Sequence, residues 1–408
     1  MKKILILGVG AQGSTVAKRM DQEPDVSEII CADYDMKAVD ELVKLLKKGK
    51  GVQIDATSKE SIVSVAKDVD LLVNALPIKY GITVMEAAIE AKTDYQDFAA
   101  TDVLFPDDWV KCVDYLYDEI GPRFAAIGKT AIIGTGSAPG LICVVARDAM
   151  RYLDTCDTVN CLVYEGVRAK RFLPFWWSPV TALGDMTDMA YTYENGKVIP
   201  TEPHSRPYYR TFRGVEGVCE LVEHSHDEPV YIGHNAEKFF KGAKNATFKY
   251  GGVGVDFAKP LYEAGLLSRE EEEINGRKVV PFETVLAHIP PAPKYRDELQ
   301  EILDEGLMTD TGATVVEAFG KKDGKDVLVE TYIIAPGMVD AFERSGLSAE
   351  MYLTGQCGSF YTTMLVRDKF TQKGLISSDM LDYNQVDYYL DLAKAVDITL
   401  ETEVKEVK

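Results

Sequence analysis

"ILILGVGAQGSTVAKRM" spans Ile4–Met20 and decides the fold. It opens as a strand of four apolar residues, Ile4–Leu7, and closes as a helix over Ser14–Met20. Between them Gly8, Gly10 and Gly13 fit Gly-x-Gly-x-x-Gly. The pattern alone is common; its place between a buried strand and a helix gives it weight. Gly8 permits the tight turn. Gly10 lets backbone approach a pyrophosphate. Gly13 lets helix and strand pack closely, and Ala11 and Gln12 begin a helix whose N-terminus faces the phosphates.

The next strand, from Glu28, ends at Asp33, twenty residues beyond Gly13. Asp33, with Tyr34 beside it, stands where a ribose is bound. A carboxylate there accepts ribose hydroxyls and repels a 2′-phosphate, so NAD is expected in preference to NADP. "GVQIDAT" (51–57) reads as a third strand ending in Asp55, which with Ala56 falls on the adenine side. "DLLVNALP" (70–77) is a fourth strand, 82–92 a helix, 93–98 a short strand and 130–136 another. Strands alternating with helices imply a doubly wound parallel sheet. Ligands bind at its carboxyl edge, which brings Asn74, Ala75, Leu76, Pro77 and the 134–140 loop to the nicotinamide.

A chain of 408 residues calls for more than one domain. The expected division is a Rossmann domain over 1–138, a catalytic and dimerisation domain over 139–350, and a helical segment over 351–408 packing back toward the first. With 45 basic and 65 acidic residues, the net charge is −20. Such a surface repels nucleic acid and anionic membrane, so neither is an expected partner. Seven cysteines without a Cys-x-x-Cys pair suggest reduced thiols and a cytoplasmic protein, with Cys143 and Cys161 in the core. The first apolar run is too short for a signal peptide, and none approaches the length of a membrane span.

After about residue 138 the texture changes to an α+β pattern with a mixed or antiparallel sheet. "CDTVNCLVYEG" and "ATFKYGGVG" read as strands; 194–199 and 321–334 read as hairpins turning on Asn-Gly and Asp-Gly. A charged helix is expected from Ser268, another over 295–306, and a third over 353–376. The tyrosine-rich stretch 383–396 packs back on the first domain, and the charged tail after Ile398 frays. "YGGVG" (250–254) is a turn rather than a second nucleotide site.

"LGVGAQGSTVA", "IDATSKESI", "VNALP", "YQDFAATD", "GTGSAPGL", "WSPVTAL" and "YENGKVIPTEPHS" together resemble the saccharopine dehydrogenase-like family, which includes lysine 6-dehydrogenases. The likeness is dense over 1–205 and looser through "TFKYGG", "YEAGLLS" and "YLTGQCGSF". It implies a Rossmann domain joined to a catalytic domain that supports a homodimer, and NAD(P)-dependent chemistry at the C–N bond of an amino acid. The chain departs from the family at Gly251, Gly252 and Val253, where a Pro-Gly-His-like turn is expected.

That chemistry needs a group to manage a proton and a seat for a carboxylate. Asp97, after a short strand, is a candidate to orient or deprotonate the amine; Asp102 reads as a cap. Gly136, Ala138, Pro139 and Gly140 form a strand-end loop whose N–H groups suit a carboxylate. Arg206, between prolines, is a candidate bidentate clamp. Trp177 and Ser178 enter as site residues through the family match. His226 is a candidate general acid–base because its ordinary pKa lies near neutrality. His224, His226, Asp227 and Glu228 lack a third clustered histidine, so no metal is expected.

The reading that results is an NAD-preferring homodimeric oxidoreductase acting on a small amino-acid substrate, of the lysine or saccharopine type. Its alternatives are reductive condensation of an amine with a keto acid or aldehyde, of the opine or carboxyspermidine synthase type, and a non-catalytic NAD-binding protein.

Overall fold

The computed structural model describes residues 1–99, 104–105 and 108–407; Asp102 lies outside them. The chain falls into two compact units. The first comprises Met1–Arg151, Val230–Phe240 and Tyr352–Thr399; the second comprises Tyr152–Pro229, Lys241–Met351 and the chain from Leu400 on. The stretch expected as one helical segment, 351–408, is thus shared between the two.

The first unit is built on a seven-stranded parallel sheet. Its strands are β1 (Lys2–Leu7), β2 (Val26–Asp33), β3 (Gly49–Gln53), β4 (Leu71–Asn74), β5 (Asp94–Asp97), β6 (Thr130–Ile133) and a last one, Gly374–Ser377. Their order is Gly374–Ser377, β6, β5, β4, β1, β2, β3. The direction of winding reverses between β1 and β4, which makes the crevice above them the expected ligand position. Ile4, Leu5, Ile6 and Leu7 are fully buried, as a strand covered on both faces requires. The helix α1 (Ala11–Gln22) follows β1 directly.

The second unit holds a nine-stranded mixed sheet. Its centre is β7 (Thr155–Glu165), parallel to Asn245–Gly252 on one side and antiparallel to Gly312–Lys322 on the other. The Asn195-Gly196 and Asp323-Gly324 turns close the two expected hairpins with all four residues at positive φ.

Several expectations need correction. The segment after Ser268 is not a charged helix but a hairpin, Glu272–Ile274 with Arg277–Val279. Its Asn275-Gly276 turn, both at positive φ, overrides the helix propensity of the glutamates. The helix expected over 353–376 runs from Ala349 to Val366; Gly374–Ser377 is instead an edge strand of the parallel sheet. The tail does not fray. Thr399–Glu406 pairs beside Lys325–Ile334, tied by Lys405–Glu330, Arg213–Glu401 and Arg213–Glu403 ion pairs. β3 ends at Gln53, two residues short of Asp55. "YGG" closes a buried strand, and Gly252 caps the helix Val253–Glu263.

Candidate active site

In the first unit the three glycines divide the work of one loop. Gly8 has φ +87, and a Cβ on it would stand 2.6 Å from the Ala75 carbonyl oxygen. A Cβ on Gly13 would stand 1.9 Å from the Gly8 carbonyl oxygen, so α1 packs on the turn only because Gly13 has no side chain. Gly10 is exposed, with open space where its Cβ would be. It caps α1 without a side-chain hydrogen bond, so the helix's first N–H groups are left for a ligand. Ala11 and Gln12, half-buried, form that first turn. The residues present fit a pyrophosphate cradle.

Asp33 ends β2, and its Oδ2 accepts from the Val9 N–H at 2.9 Å. The same carboxylate thus braces the glycine loop. Tyr34 is 80% exposed. Asp55 is exposed and accepts from Thr57 N and Oγ1, bonds that lower its pKa. With Ala56 it leads into the helix Lys59–Ala66. Both stand beyond the carboxyl end of β3.

A chain of hydrogen bonds ties the ends of β4, β5 and β6. Asn74 Nδ2 donates to the Tyr95 hydroxyl, which donates to Asp97 Oδ2 at 2.8 Å; Asp97 Oδ1 accepts from Gly134 N at 3.0 Å. Asn74 Oδ1 accepts from Leu76 N and so shapes the Asn74–Pro77 turn. Asp97 is 1% exposed. Its carboxylate holds the loop after β6. That loop also differs from an open nest. The N–H groups of Gly134 and Thr135 bond to Asp97, and those of Leu141 and Ile142 bond to Gly136 and Ser137. Gly136, Pro139 and Gly140 are buried; Ala138 is only half-buried.

The second unit brings together a cluster in which only His226 was expected as an acid–base group, with His224, Asp227 and Glu228 weighed only as metal ligands. Along Asn245–Gly252 the side chains alternate. Lys249 turns to one face and pairs with Glu223 at 2.8 Å. Phe248 and Tyr250 turn to the other, where His226 stacks on Phe248 (centroids 4.0 Å apart) and His224 on Tyr250 (4.7 Å). The Tyr250 hydroxyl bonds to the carboxylate of Glu165, the last residue of β7. Glu165 and Gly252 are register partners, and a Cβ on Gly252 would stand 2.0 Å from the Glu165 carbonyl oxygen. With φ +105 as well, that position accepts only glycine.

Charge in this cluster is strongly perturbed. Burial would lower the pKa of His226, but Glu228, whose Oε2 lies 2.6 Å from its Nδ1, overrides burial. With help from Asp185 and Asp227 the imidazole is pushed up to about 9. Burial holds His224 well below the ordinary value, and the charge of His226 adds to the effect. Burial raises Glu350 to about 8, with the charge of Glu165 next in size. Burial also raises Glu165. The result is a protonated imidazole beside two carboxyls that resist joint ionisation, the kind of divided set that acid–base chemistry uses.

The other expected residues make contacts of their own. Arg206 is exposed, has φ +47, and its guanidinium is paired with Glu194 at 3.0 Å. Ser178 caps the helix Pro179–Asp185. Trp177 is half-buried beside Trp176, whose indole N–H bonds to the Val167 carbonyl. Among the described residues no group of three or more potential ligands can hold a metal ion, and no helix is long and apolar enough to cross a membrane.

Sequence reasoning missed Glu165, Tyr250 and Glu350. An acid closing the apolar run "CLVYE" was a signal for the first. Tyr250 was hidden in a turn assignment. Nothing local marks Glu350.

Residues 4–119 match the family model of the saccharopine dehydrogenase NADP binding domain, and residues 136–397 that of the saccharopine dehydrogenase C-terminal domain. A carboxynorspermidine synthase of Vibrio alginolyticus is 27% identical over 406 residues, covering 93% of this chain and 92% of that protein. A carboxyaminopropylagmatine dehydrogenase of Synechocystis is 25% identical over 406 residues, with 94% and 93% covered. The apo saccharopine dehydrogenase (L-Glu forming) of Saccharomyces cerevisiae superposes with a TM-score of 0.70 over 99% of this chain and 100% of that one, at 14% identity. That last likeness establishes a shared fold.

Proposed function

The chain belongs to the saccharopine dehydrogenase family, and from that membership we propose that it joins a primary amine to an aldehyde or keto acid and reduces the product to a secondary amine. It is an enzyme with a nicotinamide-dinucleotide domain. The observation that carries the finer reading is likeness along nearly the whole chain to proteins named as carboxynorspermidine synthase and carboxyaminopropylagmatine dehydrogenase. This favours the condensation alternative over lysine or saccharopine oxidation. The acid-rich cluster around Glu165 and Glu350 supports it, because it suits amines better than a carboxylate clamp does.

Amine and carbonyl lose water to give an imine; a hydride at carbon and a proton at nitrogen complete the secondary amine. The nicotinamide, when bound, supplies the hydride. The chain's own residues do the rest. The N-terminus of α1 and Gly10 bind the pyrophosphate. Asp33 takes the ribose hydroxyls, which favours NAD even though the matched domain is named for NADP. His226, kept protonated by Glu228, gives a proton to the departing hydroxyl, which leaves as water; the nitrogen keeps its own hydrogen as the iminium, hydride completes the secondary amine, and His226 is reprotonated from buffer. Glu228 is a positioning residue in that step. The protein works as a homodimer, and its buried cysteines, none joined in a disulfide among the described residues, suit a reducing, cytoplasmic setting.

The test is product mass. Enzyme, reduced cofactor, one di- or polyamine and one carboxylate-bearing aldehyde should yield the sum of amine and aldehyde, less one water, plus two hydrogens. Absence of that mass across a panel, together with NAD reduction by lysine or saccharopine, overturns the proposal.

A further inference from the structure

We propose that Tyr95 is a positioning residue for the nicotinamide half of the cofactor: its single hydroxyl clamps the ends of three strands and sets the turn that meets that half. The inference rests on the dinucleotide domain and goes beyond the proposed reaction, since it holds for a hydride moving in either direction.

The turn Asn74–Pro77 lies against the first glycine of the dinucleotide loop. A Cβ on Gly8 would stand 2.6 Å from the Ala75 carbonyl oxygen and 3.2 Å from Leu76 Cδ2. The Ala75 N–H also bonds to the Leu7 carbonyl at 2.8 Å. The turn therefore stands where the winding reverses, with β1 between it and the strand that carries Asp33. Asp33 marks the adenosine half over β2 and β3, so the nicotinamide half falls over β4 and β5.

Donor chemistry fixes the direction of every bond behind that turn. Leu76 N can only donate, at 3.1 Å, so the amide oxygen of Asn74 faces it and the amide nitrogen faces the Tyr95 hydroxyl at 3.0 Å. That hydroxyl accepts from Asn74 and gives its only proton to Asp97 Oδ2 at 2.8 Å. Asp97 Oδ1 takes the Gly134 N–H at 3.0 Å. Burial, with the charge of Asp97 next, pushes the Tyr95 pKa well above its ordinary value, so the proton stays in place. Asn74, Tyr95 and Asp97 are each no more than 3% exposed, so bulk water does not stand in for a lost partner. One hydroxyl thus joins β4, β5 and the start of the loop after β6. Phenylalanine fills the same space and breaks the chain at its centre. Asn74 then loses its acceptor and is free to turn, and the Leu76 N–H loses the fixed oxygen that shapes the turn.

Calorimetry on the full chain tests this with two ligands, NADH and ADP. ADP carries the adenosine and pyrophosphate but neither the second ribose nor the nicotinamide. Tyr95→Phe is expected to weaken NADH at least about tenfold, the scale of one charge-assisted hydrogen bond, and to leave ADP within about twofold. A merely structural role would lower both alike or shift the melting temperature alone. Asn74→Ala cuts the same chain one link nearer the turn; it should give the same split, and it carries the test if Tyr95→Phe does not fold. NADH affinity unchanged in the variant, or NADH and ADP weakened equally, overturns the role of Tyr95 and leaves the dinucleotide domain standing. A wild-type chain that binds neither ligand overturns the reading of the domain and the role of Tyr95 with it.

Discussion

Glu228→Gln removes one charge from a buried pair and changes little in size. In the wild type, His226 has only 16% of its side chain exposed and titrates at about 9, against 6.5 for an ordinary histidine. A raised folded-state pKa means that folding is favoured by the proton. The linkage is worth about 3 kcal/mol from 2.5 units at 1.36 kcal/mol each. It is fully present below pH 6.5 and is lost as pH rises through 9. In the variant the charge and hydrogen bond that raise the pKa are gone, and burial, which lowers it, remains. Histidine NMR is practical because the chain has five histidines. The His226 resonance should titrate about two units or more lower in the variant. Denaturant midpoints should fall more steeply with pH between 6.5 and 9 in the wild type than in the variant, where the raised Glu350 still gives a decline up to about pH 8 but His226 gives none. A wild-type His226 that titrates below 7, or a variant shift under about one unit, refutes the pairing and with it the proton-donor role.

Gly10→Val should abolish dinucleotide binding while near-native thermal unfolding is retained, since its Cβ projects into open space; titration with NADH by fluorescence reads both enzymes. Gly13→Val should cost stability as well, because its Cβ has the Gly8 carbonyl 1.9 Å away. Asp33→Ser should narrow the preference for NAD over NADP, each tenfold change being about 1.4 kcal/mol; equal wild-type affinities by calorimetry would remove Asp33 from that role. Arg206→Ala should leave kcat/KM within about twofold, because an exposed pair with Glu194 is worth at most about 1 kcal/mol; a loss beyond tenfold would return Arg206 to the site.

The parallel sheet was legible because its signals are local. Four buried residues, three spaced glycines and an acid at a strand end each reflect one backbone constraint, and they stand consecutively in the chain. The Asn195-Gly196 and Asp323-Gly324 hairpins were legible for the same reason. Asn275-Gly276 carries the same signal, but four glutamates before it masked the turn. The second unit's cluster was harder to see, since Glu165, His226, Tyr250 and Glu350 come from four separate stretches and meet only through sheet register and a helix start. Asp97 was found for its strand-end position, whereas its partners Tyr95 and Gly134 were not, because they are set by pairing across strands. Arg206 looked like a clamp only while the strand carrying Glu194 was unplaced.

The most direct measurement compares two reactions at the nicotinamide absorbance under one condition. In one, NADH is offered with a diamine and a carboxylate-bearing aldehyde; in the other, NAD is offered with lysine or saccharopine. Consumption of NADH that requires both amine and aldehyde, at a kcat/KM well above the oxidation of lysine or saccharopine, is the predicted result. Rapid NAD reduction by either amino acid, with NADH left unspent in the presence of amine and aldehyde, would contradict it.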